Sequence, residues 1–144
     1  MNILDYTNKV RFKRRKRSHV IDEIIIHHSW TRTLDGMVSA LRSKDCGTHY
    51  AIGREGEVYH LTPDAYRVAH CVEHNERAIG IDIIRGRGQE ISACQYDALN
   101  DLLVYLVDVH GMKCPILHEH HIYYHRDLRA TECPGPIDDS KILF

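Results

Sequence analysis

The stretch Glu23-Ile24-Ile25-Ile26-His27-His28 constrains the fold of this chain more than any other. Three consecutive isoleucines show neither the alternation of a half-solvated strand nor the spacing of an amphipathic helix, so the run reads as a strand buried on both faces with a polar residue at its end. Such a strand needs partners on both edges and cover on both sides, which calls for a central sheet with helices packed against it.

The remaining elements fit that frame. A short helix is expected from Gly36 to Ser43, with Met37, Val38 and Leu41 on one face and Thr33 or Asp35 as its cap. His49 to Gly53 and Glu57 to Leu61 are β-rich and separated by Arg-Glu-Gly, which predicts a hairpin. Ala78 to Ile84 reads as a strand with Ile79, Ile81 and Ile83 on one side and Gly80, Asp82 and Ile84 on the other. The clearest helix opens at Ser92, where Gln95 completes a capping box, carries an apolar stripe of Leu99, Leu102, Leu103, Leu106 and Val109, and stops at Gly111. A last short strand is expected over Ile122 to His125, and Pro134 and Pro136 stiffen the loop after Cys133. The expected architecture is a single α/β domain, a central mixed β-sheet flanked by α-helices, over residues 21–144, preceded by a basic leader over residues 1–20.

Composition excludes several function classes. With 19 Lys and Arg against 20 Asp and Glu, the chain lacks the cationic surplus that phosphate backbones demand, so no nucleic-acid partner is expected. No apolar run is long enough for a transmembrane segment, and the N-terminus lacks the apolar stretch and cleavage site of a secretory signal. Synthesis in the cytoplasm without a signal peptide is therefore expected. Five cysteines without regular spacing fit a reducing compartment; Cys46, Cys71, Cys94 and Cys114 read as small buried or partly buried side chains. The run Lys9 to Arg17 has seven cationic residues in nine. It reads as a solvated leader, with adhesion to an anionic envelope surface as the alternative.

Twelve histidines are unusual for this length. His27 and His28 close the buried strand, His118, His120, His121 and His125 cluster late in the chain, and Cys133 follows. Two imidazoles and one thiolate make a three-ligand set that leaves one vertex of a tetrahedral zinc ion for water, whereas a closed structural site would need a fourth strong ligand. Neighbouring residues of a strand point to opposite faces, so only one of His27 and His28 reaches a given ion.

From about Glu23 to about Ile137 the sequence resembles the zinc-dependent N-acetylmuramoyl-L-alanine amidases of type 2, the family that includes phage amidases and animal peptidoglycan recognition proteins. Four ordered motifs carry the resemblance: IIIHH, THYAIGREGEVYHL, AHCVEHNERAIGIDII and HRDLRATECPG. It implies His27, His125 and Cys133 as the ligands of Zn2+, because the family's ligand is the first His after the apolar run and its last His and Cys are separated by seven intervening residues with Pro following. It leaves His28 as a packed imidazole beside the site, and His118, His120 and His121 as exposed loop residues. One branch of the family carries a Glu where this chain has Asp82, which makes Asp82 the candidate general base, with an ion pair to Arg85 as its structural alternative. Thr131, two residues before the last ligand, is the candidate donor to the scissile carbonyl. His49, His70, Asn75 and Arg77 match polar positions flanking the family's groove and stand as substrate-side residues, with packing as the other reading of His49.

The implied function is hydrolysis of the amide between N-acetylmuramic acid and L-alanine in peptidoglycan, by a monomeric phage or prophage endolysin that reaches the cell wall after release. A cytosolic amidase recycling muropeptides and a non-catalytic peptidoglycan-binding protein are the alternatives.

Overall fold

The computed structural model describes residues 1–144. Its main sheet has seven strands in the order β1-β5-β4-β7-β3-β9-β8. These are β1 (Ile3–Asp5), β3 (Glu23–Trp30), β4 (Tyr50–Ile52), β5 (Val58–His60), β7 (Ala78–Gly86), β8 (Ile116–Leu117) and β9 (His121–Tyr124). β2 (Arg14–Lys16) and β6 (Tyr66–Val68) form a separate antiparallel ribbon. Within the main sheet only the β4–β5 hairpin is antiparallel, so the sheet is mixed, as expected. β3 lies near the centre, flanked in parallel by β7 and β9, and Ile24, Ile25 and Ile26 are fully buried. Each contributes about 1.5–3 kcal/mol relative to exposure.

Helix α2 (Ala93–Val109) covers one face and α1 (Leu34–Ser43) the other. Leu99, Leu102, Leu103 and Leu106 pack on Ile24, Ile26, Ile79, Ile81 and Ile83. Met37 and Val38 pack with Ala51, Leu61 and Ile84. The capping box of Ser92 and Gln95 is present, Thr33 caps α1, and Gly111 adopts a left-handed conformation (φ 62°) just after α2. No helix is long and apolar enough to cross a membrane.

The structure departs from the sequence reading in five places, one of them His121, which opens β9 half-buried instead of lying exposed in a loop. The leader is folded in: β1 extends the main sheet, Phe12 is buried against Met37 and Val68, and the half-buried Arg17 guanidinium donates to the carbonyls of Asp64, Asn75, Glu76 and Ala78. Val109 is 52% exposed, because the α2 stripe ends one turn earlier and Met112 fills the space. Cys94 and Cys114 are exposed rather than partly buried, and all five cysteines are free. His125 does not end a strand; it opens α3 (His125–Leu128), with Tyr124 as the cap residue.

Candidate metal centre

His27 and Asp82 are register partners on the parallel pair β3 and β7, so their side chains leave the sheet on the same face, away from α2. They are 6% and 4% exposed. His125 comes from the next strand over, at the first position of α3, whose start is closed by the Asp127 carboxylate accepting from the Tyr124 N–H at 2.8 Å. The Arg126 N–H donates to the Cys133 carbonyl at 2.9 Å and its Nη1 to the Gly135 carbonyl at 2.6 Å, which folds the Cys133 loop back over α3. The donor atoms of His27, His125 and Cys133 consequently lie within 4.8 Å of one another.

The Cys133 Sγ is 3.8 Å from Nδ1 of His27 and accepts the His28 N–H at 3.4 Å. Zinc bonds of about 2.0–2.3 Å in a tetrahedron put a nitrogen and a sulfur ligand about 3.5 Å apart, so this pair already stands near ligand spacing. Behind it, Nε2 of His70 reaches the Ala78 carbonyl at 3.4 Å, a contact that requires a proton on that nitrogen. Nδ1 of His70 is then the acceptor for Nε2–H of His27 at 3.0 Å, and Nδ1 of His27 is left bare toward the sulfur. Burial lowers the pKa values of both imidazoles well below the ordinary range, so they are neutral, the state that a metal ligand and its hydrogen-bonded support require. Burial pushes the Cys133 thiol up to about 12, a rise that the His28 N–H partly opposes. Two neutral imidazoles and a thiol that must shed its proton to bind suit zinc better than hard cations such as Mg2+ or Ca2+.

A cleft of about 440 Å³ opens over these groups, lined also by Ser29, Trp30, Lys44, His70, Asp82 and Thr131. Burial raises the Asp82 carboxyl to about 7, with the Thr48 hydroxyl acting in the opposite direction. Asp82 has no ion pair with Arg85, since strand alternation turns the two to opposite faces. The Thr131 hydroxyl accepts the Cys133 N–H at 3.2 Å and retains its own proton to donate. Asn75 acts on the loop, its Oδ1 accepting the N–H groups of His70 and Cys71 at 2.9 and 2.8 Å.

Asn75 is therefore not part of the cleft lining, and neither are the expected substrate-side residues Arg77 and His49. Arg77 precedes β7, at the end of the strands opposite the ligands, and is held by both oxygens of Asp22 at 2.8 and 2.6 Å. His49 is fully buried: it accepts the Gly80 N–H at Nδ1 and donates from Nε2 to the Tyr66 carbonyl, which spends both nitrogens. Burial beside the Arg17 cation lowers its pKa to about 3. Sequence reasoning overlooked Trp30, in left-handed conformation (φ 52°) at a register irregularity of β3, and took Arg85 only as an alternative partner for Asp82. The available signal for Arg85 was a cation near the end of a strand whose only other charged residue is Asp82.

The family model described as N-acetylmuramoyl-L-alanine amidase matches residues 16–136, most of the chain. The chain belongs to this amidase family. Among solved structures, the N-acetylmuramoyl-L-alanine amidase LysC from Clostridium intestinale URNW is 21% identical with a TM-score of 0.73, over 94% of this chain and 90% of that one. The endolysin of the Thermus scotoductus bacteriophage Ph2119 is 21% identical with a TM-score of 0.74, over 95% and 94%. The Drosophila peptidoglycan recognition protein LB is 21% identical with a TM-score of 0.70, over 93% and 88%. These likenesses establish an amidase-type fold across both the lytic and the recognition members. Comparison with curated proteins gives no match.

Proposed function

We infer that this amidase is zinc-dependent, with His27, His125 and Cys133 as ligands, and cleaves the amide between N-acetylmuramic acid and L-alanine of peptidoglycan as a phage or prophage endolysin. The observation that carries the reading is the convergence of two neutral imidazoles and one thiol from distant segments, within 4.8 Å, in a chain of the amidase family. Bound there, zinc would supply Lewis acidity and bring the pKa of a water molecule toward neutrality.

The chain's own residues account for the rest. Asp82, on the same face as His27 and held near neutrality by burial, accepts a proton from attacking water at its carboxylate. Thr131 donates its hydroxyl proton in a hydrogen bond to the scissile carbonyl oxygen as charge develops there. The water oxygen bonds to the carbonyl carbon, the carbon–nitrogen bond breaks, and the proton held by Asp82 passes to the departing L-alanine amine. His70 and the His28 N–H keep His27 and Cys133 oriented throughout.

The test is incubation with purified peptidoglycan, with and without chelator, scoring new L-alanine amino termini and new reducing ends. Amino termini that vanish with chelator and return with zinc are expected. Reducing ends alone would make the activity a glycosidase, and binding without either product would make the chain a recognition protein.

A further inference from the structure

Arg85 has a fully buried side chain, 1% exposed, and no carboxylate partner. Burying a cation without a counter-charge costs several kcal/mol unless hydrogen bonds recover it. Here the guanidinium fork is spent on one short stretch of chain: Nη2 donates to the Pro134 carbonyl and Nη1 to the Pro136 carbonyl, each at 2.7 Å. Those carbonyls flank the loop immediately after Cys133. Nη2 also lies 3.3 Å from Nδ1 of the His28 ring, and the Trp30 ring lies 5.1 Å from the guanidinium carbon. Gly135, between the two prolines, has left-handed backbone (φ 74°), and a Cβ there would strike the guanidinium and stand 2.7 Å from Cε1 of His28. The loop is thus seated on Arg85, and its other edge is tied to α3 by Arg126.

We propose that Arg85 is the positioning residue for the Cys133 sulfur: by gripping the carbonyls of Pro134 and Pro136 it fixes the loop so that Sγ meets Nδ1 of His27 and the His28 N–H. This rests on the reading of His27, His125 and Cys133 as a metal site. The planar fork is what the geometry uses, because two carbonyls diverging from one loop need two separately directed donors. Histidine ligands need no such help, since His27 stands on a central strand and His125 on a capped helix start. Cys133 alone hangs on a loop without regular structure.

The test compares wild type, Arg85→Met, Arg85→Lys and Asn100→Ala. Asn100 ties the C-terminal segment through Lys141 and Leu143 and serves as a control for lost stability. Zinc affinity is measured by competition with a chromophoric chelator, and cobalt-loaded protein is read for its thiolate-to-metal charge-transfer band. Arg85→Met is expected to bind zinc about tenfold to a hundredfold more weakly. Its charge-transfer band should weaken while the weaker ligand-field bands persist. Arg85→Lys, which keeps the charge and loses the fork, reads the same way where the methionine variant fails to fold. Asn100→Ala should melt earlier with unchanged affinity and band. Wild-type affinity and an undiminished band in a folded Arg85 variant would overturn the proposal. A wild-type protein that takes up neither zinc nor cobalt would instead overturn the metal reading on which it stands.

Discussion

His27 and His70 are joined by a hydrogen bond of 3.0 Å between Nε2 of the first and Nδ1 of the second, and that bond decides which nitrogen of His27 faces the sulfur of Cys133. The tautomer is passed down from a backbone carbonyl, that of Ala78, through two rings. Removing the second ring frees the first to rotate and to carry its proton on either nitrogen. His70→Ala is expected to weaken zinc binding by about 10–100-fold, measured by chelator competition. The folded structure, read by far-UV circular dichroism, should be retained. Unchanged affinity would show that the strand alone orients His27.

Metal uptake should release a proton. Burial raises the Cys133 thiol to about 12, so it is protonated in the metal-free protein at neutral pH and must ionise to bind. Burial lowers the pKa values of His27 and His125, so these imidazoles are already neutral and release nothing. Zinc affinity is therefore expected to rise about tenfold per pH unit between roughly pH 7 and 9. Titration with zinc in weakly buffered indicator dye should register one proton per metal. Cys133→Ser should abolish the pH dependence together with most of the affinity.

Asp82 opposes folding in its charged form. Its folded-state pKa, about 7, stands above the ordinary value of 3.8, so the stabilisation it supplies is fully present below about pH 4 and is lost as pH rises through about 7. In the metal-free protein, Asp82→Asn should match wild type near pH 4 and exceed it by on the order of 2–4 kcal/mol above pH 8. Denaturant melts at the two pH values measure this. The same variant should lose hydrolysis of peptidoglycan while still binding zinc.

The N-terminal seventeen residues should prove inseparable from the domain. Phe12 is 2% exposed and lies against Gly47, and Arg17 supplies hydrogen bonds to four carbonyls. Phe12→Ala is expected to cost about 3–5 kcal/mol of stability. Deletion through Arg17 should leave a protein that melts earlier or aggregates. A truncated chain with the full melting temperature would restore the solvated-leader reading.

Gln95 is worth more than its place in a capping box. Its Nε2 donates to the carbonyls of Ile52 and Ile84 at 3.2 and 2.7 Å, bridging β4 and β7, while its Oε1 accepts from Ser92 and Arg54. Gln95→Ala takes a donor from two buried carbonyls and should cost roughly 2–5 kcal/mol, against about 1 kcal/mol for Ser92→Ala. Equal losses in thermal melts would reduce Gln95 to a helix cap.

Local pattern carried much of the molecule. The isoleucine run, the alternation of Ala78 to Ile84, the Arg-Glu-Gly hairpin and the capped leucine stripe each follow from periodicities that a short window contains, and each forms where expected. The trio His27, His125 and Cys133 was singled out through the resemblance and its spacing of motifs, and the structure brings their donor atoms within 4.8 Å of one another. The docking of the first seventeen residues onto the domain was illegible, because a cationic strand is indistinguishable from a solvated one until Tyr66, Glu76 and the carbonyls that receive Arg17 come from elsewhere in the chain.

The sequence by itself determined which segments become strands and helices, since that depends on residue type and near neighbours. Only the tertiary structure decided that Arg77 and His49 stand outside the cleft, that His70 supports His27, and that Arg85 grips the Cys133 loop. Those outcomes depend on which end of a strand a residue occupies and which carbonyls a distant loop presents. Contacts between residues fifty to a hundred positions apart exist only once the sheet has ordered its strands.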